Sequence, residues 1–333
     1  MQRKTLIGLG LATVVAVVAA VGVSVSDHAE GILADSGRTL FPDLKTDLGS
    51  IDHVVVTRGK GVTTVTRSGE HFVDASGYPV KPKAIADLVA SLGTLVIDEK
   101  KTAEPVRYPE LDLADPTAKS GAAVRVELKA GDRTVAGLYA GKQDDTVGSA
   151  SGGQYVRRLD GPASYLVRGT VKLPNTRADW FETRLLGIDA KTLAAATFTP
   201  RTGEAVDLVK AGDGLALATT PDGRKPDTTK LDRLAHVASA LDFEDVRAGK
   251  GAAPPGGAAF RLTTGAGLVV TIAEDGPSAD RWVRISAEAA KDTAHADADA
   301  INAKAKGFAF RLSSHDAEPF AWKAEDLLAK PQS

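Results

Sequence analysis

The chain has 333 residues, with 41 Lys plus Arg against 43 Asp plus Glu, a formal net charge of -2, and no cysteine. So even a balance leaves no basic field to hold a phosphate backbone, which argues against nucleic acid as a partner. The missing cysteines remove disulfides, thiolate nucleophiles and Cys-zinc sites together. With 33 Gly and 16 Pro against few aromatics, the body reads as short strands joined by many turns.

Leu6 and Val25 bound an uncharged apolar segment, LIGLGLATVVAVVAAVGVSV. About 20 residues at 1.5 Å each span roughly 30 Å, the thickness of a bilayer's hydrocarbon core, so the segment is expected to cross as one transmembrane helix. Arg3 and Lys4 precede it, and Asp27, Glu30 and Asp35 follow it. That bias keeps the N-terminus cytoplasmic and sends the rest across, predicting a single-pass protein of the cytoplasmic membrane with a periplasmic body. The competing reading is a cleaved signal peptide, with Ala19 and Ala20 near a small-residue cleavage site. The signal-anchor is favoured because the apolar run continues past those alanines. Both readings export the body.

The predicted organisation is a tip and anchor at 1–26, a tether at 27–50, a first α+β lobe at 51–190 and a second at 191–330 that repeats it. Residues 51–58 (IDHVVVTR), 62–67 (VTTVTR) and 71–73 (HFV) predict a three-stranded antiparallel meander. Pro79 and Pro82 then open a helix whose Ile85, Leu88, Val89 and Leu92 fall on one face, and Gly93 ends it. Residues 108–116 (YPELDLADP) form a loop. Strands follow at 123–129, 134–140, 155–158 and 164–167, and a short helix around Trp180 at 178–186.

The same order returns in the second half. RSGEHFV at 67–73 lines up with KAGDGLA at 210–216, and Lys81-Pro82 with Lys225-Pro226. Leu231, Leu234, Val237 and Leu241 then form a second helical stripe, followed by strand-like segments at 259–262, 268–273, 282–285 and 308–312. Residues 249–257 (GKGAAPPGG) read as a surface loop inside the second copy. Each lobe is therefore expected to be a mostly antiparallel meander with a packed helix.

No reactive constellation emerges, so the sequence assigns no catalytic, cofactor-binding or metal residue, no cofactor and no enzymatic activity. His28, His53, His71, His236, His295 and His315 are scattered, without the helical spacing that zinc sites use. Gly141-Lys142 lacks the first glycine of a P-loop, since Ala136 stands there, and Gln143 replaces its Ser/Thr. There is no G-x-S-x-G elbow and no Ser-x-x-Lys pair. Asp292, Asp297 and Asp299 lack the turn glycine and terminal Glu of a calcium loop, and are expected in a solvated acidic loop. Asp144-Asp145 reads as a turn. Trp180, Trp282 and Trp322 are expected to close the cores, a ligand groove being the alternative.

Taken in order, the apolar N-terminal segment, the glycine-turned meander, the proline-led helix, YPELDLADP, GLYAGK at 137–142, YVRR, SYLV and DWFETRLLGI at 179–188 resemble the bacterial family called domain of unknown function 4340. Asp112 stands where that family more often has Gly. The resemblance implies an envelope protein, often encoded beside ABC-type transporters of the gliding-motility class, and carries over no catalytic residue. The expected function is thus a membrane-anchored accessory or scaffold for an ABC-type transport system, with transporter subunits as partners. The alternatives are a periplasmic glycan- or peptide-binding module and a hydrolase with a dispersed site.

Overall fold

The structure is a computed structural model that describes residues 36–147, 152–221, 223–251 and 253–329. It divides into two compact units that meet between Thr176 and Arg177.

The first unit opens with β1 (His53–Arg58), β2 (Gly61–Ser68) and β3 (His71–Asp74), the meander that the alternating Val and Thr residues predict. Ser68 pairs with His71 across a two-residue turn, and Gly69 sits there at φ 61°, a left-handed position that glycine takes without steric cost. Helix α1 (Pro82–Gly93) follows, with Pro82 in its first turn and Ile85, Leu88, Val89 and Leu92 buried. Then come β4 (Val96–Lys100), β5 (Val124–Ala130), β6 (Arg133–Asp144), β7 (Gly153–Arg158) and β8 (Ser164–Arg168). All eight strands join one antiparallel sheet in the order β3-β2-β1-β5-β6-β7-β8-β4.

The second unit contains β9 (Arg184–Leu186), β10 (Leu193–Thr199), β11 (Val206–Ala211), β12 (Gly214–Leu217) and α2 (Thr228–Ser239). It continues with β13 (Leu241–Ala248), β14 (Ala259–Thr264), β15 (Leu268–Glu274), β16 (Trp282–Ala289), α3 (His295–Ala305) and β17 (Phe308–Leu312). Its antiparallel sheet runs β12-β11-β10-β14-β15-β16-β17-β13-β9. Counted from β10 as the first strand, the order is 3-2-1-5-6-7-8-4, the same as in the first unit.

Detail repeats as well. The ladder of β4 on β8 slips between Ile97 and Glu99, and that of β13 on β17 slips between Phe243 and Asp245, one offset of 146 (243 − 97). The helices start at the same offset (228 − 82). β9 has a counterpart too: Gly37 and Leu40 donate from their amides to the carbonyls of Ile97 and Leu95 at 2.8 Å each, and Ile97 donates to Arg38 at 2.9 Å. Thus Leu40 lies along Leu95 as Leu186 pairs with Leu241, again 146 apart (186 − 40). A bulge kept in both copies is a designed kink in the strand rather than an accident of sequence.

Four expectations are corrected. The α+β description gives way to an architecture dominated by two antiparallel sheets, of eight and nine strands, because the later strands of each unit add to the edge of the meander's own sheet. Among the described residues no helix is long and apolar enough to cross a membrane. The longest, α1 and α2, have 12 residues each, about 18 Å at 1.5 Å per residue against the roughly 30 Å required. The single transmembrane helix and the single-pass localisation with a periplasmic body are therefore not carried forward; Leu6 and Val25, on which they rested, lie outside the described residues. The helix expected at 178–186 is one 3-10 turn, Ala178–Trp180, followed by β9. The expected acidic loop is instead α3, whose sequence HADADAINAKA is rich in the best helix former, with Asp297 near its start and Lys304 near its end as the helix dipole favours.

Candidate functional site

In the first unit residues of YPELDLADP, GLYAGK and YVRR converge on one side of β6 and β7. Tyr139 and Arg157 are directly opposite in the ladder, so their side chains share a face. The Arg157 guanidinium lies 4.1 Å from the Tyr139 ring centre and 4.5 Å from that of Tyr108, which the 3-10 helix Pro105–Leu111 brings in from above. Tyr108 donates to the Pro162 carbonyl at 2.7 Å, and Tyr139 to Asp115 Oδ2 at 2.8 Å. The Thr117 hydroxyl and amide, with Tyr139 behind them, hold the Asp115 carboxyl below its ordinary range, while burial, then Asp115, pushes the Tyr139 phenol up. Donor and acceptor are thus fixed at neutral pH, and no proton is poised to move.

The loop is seated by backbone geometry. A Cβ on Gly141 would lie 2.2 Å from the Leu111 carbonyl oxygen, so only glycine lets the two backbones meet. Lys142 adds a 2.6 Å bond from its ammonium to the Glu110 carbonyl. Asp112 turns the chain at φ 56°, a left-handed position that glycine would take without steric cost. Asp112→Gly should therefore be neutral or stabilise by up to about 1 kcal/mol in chemical denaturation, relief of the left-handed strain being partly cancelled by glycine's chain entropy. A loss of more than about 1 kcal/mol would show that the Asp112 side chain carries a role of its own.

The second unit concentrates charge at the end of β15. Glu274 is 4 % exposed and Asp275 7 %. Arg201 donates to Glu274 Oε2 at 2.7 Å, and the Ala258 amide to the same oxygen at 2.7 Å. Asp275 accepts from Arg247 at 2.8 Å and from Arg284 Nε at 2.7 Å. Burial pushes its carboxyl up, but the two arginines outweigh that and leave it below the ordinary value. Arg247 stacks on Trp282 at 4.3 Å, and Arg284 also donates to the carbonyls of Lys250 (3.0 Å) and Gly251. The cluster fastens the glycine- and proline-rich loop to the sheet.

The second unit also holds a groove of about 380 Å³, framed by β9 and the turn after it, the β14–β15 turn, and one face of α3. Leu185, Leu186, Leu268 and Ile301 give it an apolar wall, with Asp189, Asp297 and Lys304 at its rim. Helix α3 is fixed beside it by Asn302, whose side chain bonds both the amide (2.9 Å) and the carbonyl (2.7 Å) of Ala287 on β16.

The residues weighed from the sequence mostly stay apart. His53 bonds its neighbour Asp52 at 2.7 Å, His71 opens β3, and His295 lies at the surface 3.8 Å from Asp292. His236 and His315 do come together, ring centres 6.5 Å apart, although 79 positions separate them (315 − 236). His28 lies outside the described residues. Among the described residues no group of three His, Asp or Glu side chains could hold a metal ion. Asp144 caps its own turn through the Thr146 hydroxyl (2.5 Å) and amide (3.0 Å). Trp180 is buried, whereas Trp282 and Trp322 are half-buried beneath Arg247 and Lys230. Arg157, Asp275 and the Gly187 groove escaped sequence reading. Only YVRR carried a signal, since its alternation puts Tyr155 and Arg157 on one face.

A search of curated proteins and of solved structures finds no match to the chain. A family model described as "Domain of unknown function (DUF4340)" matches residues 71–262, from β3 of the first unit to β14 of the second. That stretch is more than half of the chain and contains the Tyr108 loop, Gly141 and Arg157. The chain belongs to the DUF4340 family.

Proposed function

We propose that the protein is a non-enzymatic accessory or scaffold of an ABC-type transport system, acting through protein contacts. The observation that carries this reading is how two buried acids of the second unit are used. Glu274 and Asp275 are saturated by arginines and a backbone amide that tie loops to a sheet, so neither carboxylate is poised over an open cavity. Groups spent in this way serve shape, and shape is what a scaffold offers a partner. The transporter as partner is what the resemblance to the family implies.

Co-production of the tagged full chain with the subunits of an ABC-type transporter from the same source tests it. Co-purification at a fixed stoichiometry is expected; repeated recovery of the chain without any transporter subunit would contradict the reading. A second reading, a peptide-binding module, is favoured by one specific observation, the groove beside Gly187.

A further inference from the structure

The groove beside β9 is bounded by a glycine that its backbone does not need. Gly187 is not in the left-handed region, and a Cβ added to it would meet nothing within 4 Å. A glycine costs about 0.5–1 kcal/mol in chain entropy relative to alanine, so a position that demands neither its φ nor its small size calls for another explanation.

The first unit supplies one. At the 146-residue offset Leu40, Phe41 and Asp43 correspond to Leu186, Gly187 and Asp189. Leu40 and Leu186 lie along the same strand of their sheets, and Asp43 and Asp189 each stand just before a single helical turn, Leu44–Asp47 and Ala190–Thr192. Phe41 is buried, with the Arg158 guanidinium 5.3 Å from its ring centre. One copy thus covers this place with its own aromatic side chain. The other has glycine there and an open groove.

We propose that the groove takes an apolar side chain, aromatic by preference, from an extended peptide segment that carries a basic residue next to it. The wall is aliphatic, and its size fits one large side chain rather than a folded domain. The rim chooses the neighbour: Asp189, which also caps its own turn through the Lys191 amide, and Asp297 outnumber Lys304 among the lining residues, a net negative mouth. Asp297 and Lys304 lie seven residues apart on α3, about 10 Å, and neither is engaged in an ion pair among the described residues, so both are open to a ligand. This deepens the peptide-binding reading, and it stands or falls separately from the transporter, since the chain alone suffices to test it.

The test is amide NMR of the full chain titrated with N-acetyl-Phe-Lys-amide. Saturable shifts at Gly187, Ile188, Ala266 and Ile301 are expected, with affinity on the order of millimolar. The capped Phe-Glu peptide should bind about two- to fivefold more weakly and lose that difference in high salt. Gly187→Phe should fill the groove as Phe41 does in the first unit and abolish the shifts; Ala300→Phe, at an exposed helix position, should do the same from the opposite wall without risk to folding. No shifts in the native chain, or equal shifts in both variants, would overturn the proposal. Saturable binding of toluene without binding of the dipeptide would overturn the peptide and leave a small apolar ligand. Transporter subunits co-purifying equally well with Gly187→Phe would leave the scaffold reading intact and the groove outside it.

Discussion

Asp275→Asn is expected to lower the stability of the chain by about 3 kcal/mol, because removing one partner from a buried ion cluster strands the others. Asp275 is 7 % exposed and is held by Arg247 and Arg284 at 2.8 and 2.7 Å. Arg284 is itself well covered, so its charge has little water to fall back on, whereas the more exposed Arg247 side chain keeps the cost at the lower end of the 3–5 kcal/mol typical of such losses. The pH dependence follows from the same geometry. Burial raises the carboxyl's pKa, and the bonds from the two arginines lower it further than burial raises it, to a net value below the ordinary 3.8. A folded-state pKa below the unfolded one means that the stabilisation is complete above pH 3.8 and drains away as pH falls from there through the folded-state value. Urea denaturation at pH 7 and at pH 3 should thus separate the two proteins widely at the first and less widely at the second. Equal stability at pH 7 would mean that the cluster does not brace the loop.

Gly141→Ala is the second substitution with a large expected effect. Its methyl would lie 2.2 Å from the Leu111 oxygen and 3.2 Å from that of Asp112, atoms of a backbone that has no rotamer to change. The loop must lift. With it go the Tyr108 bond to Pro162 and the stacking of Arg157 between two tyrosines. Overpacking of this kind costs about 1–3 kcal/mol and more when backbone is the obstacle, so a loss of about 3 kcal/mol is expected in the denaturation midpoint at unchanged slope. Gly187→Ala is the matched control, with nothing within 4 Å of its Cβ and a gain of about 0.4–1 kcal/mol expected. If both variants behaved alike, close approach at Gly141 would not be what seats the loop.

How far the fold could be read from the sequence depended on whether an interaction was local. The meander and α1 are local: alternating Val and Thr, glycine at two-residue turns, and a Pro-led stripe of Ile85, Leu88, Val89 and Leu92 state their own periods. The pairing of β1 with β5, or of β10 with β14, is not local. Nothing in a strand's alternation says which strand it will lie beside, so the order of strands in each sheet could not be read from it. Helix α3 was misread because three aspartates in twelve residues suggest solvation, while its buried alanines, Ala298 and Ala305, carry a weaker signal. Gly187 was silent, for glycine in a loop ordinarily needs no explanation; only the 146-residue match to Phe41 gives it meaning. The resemblance to the family rested on ordered short motifs, and three of them, YPELDLADP, GLYAGK and YVRR, supply residues that hold the Tyr108 loop on β6.

The central claim is that one strand order is built twice and that the copies differ in what they set beside the leading leucine. Cross-strand nuclear Overhauser contacts in the full chain test this directly. The duplicated order predicts contacts between Val54 and Leu128 and between Ala196 and Leu262, together with Leu40 against Leu95 and Leu186 against Leu241. Contacts in one unit without their counterparts in the other would contradict it, and with it the comparison of Phe41 and Gly187 on which the groove's role is argued.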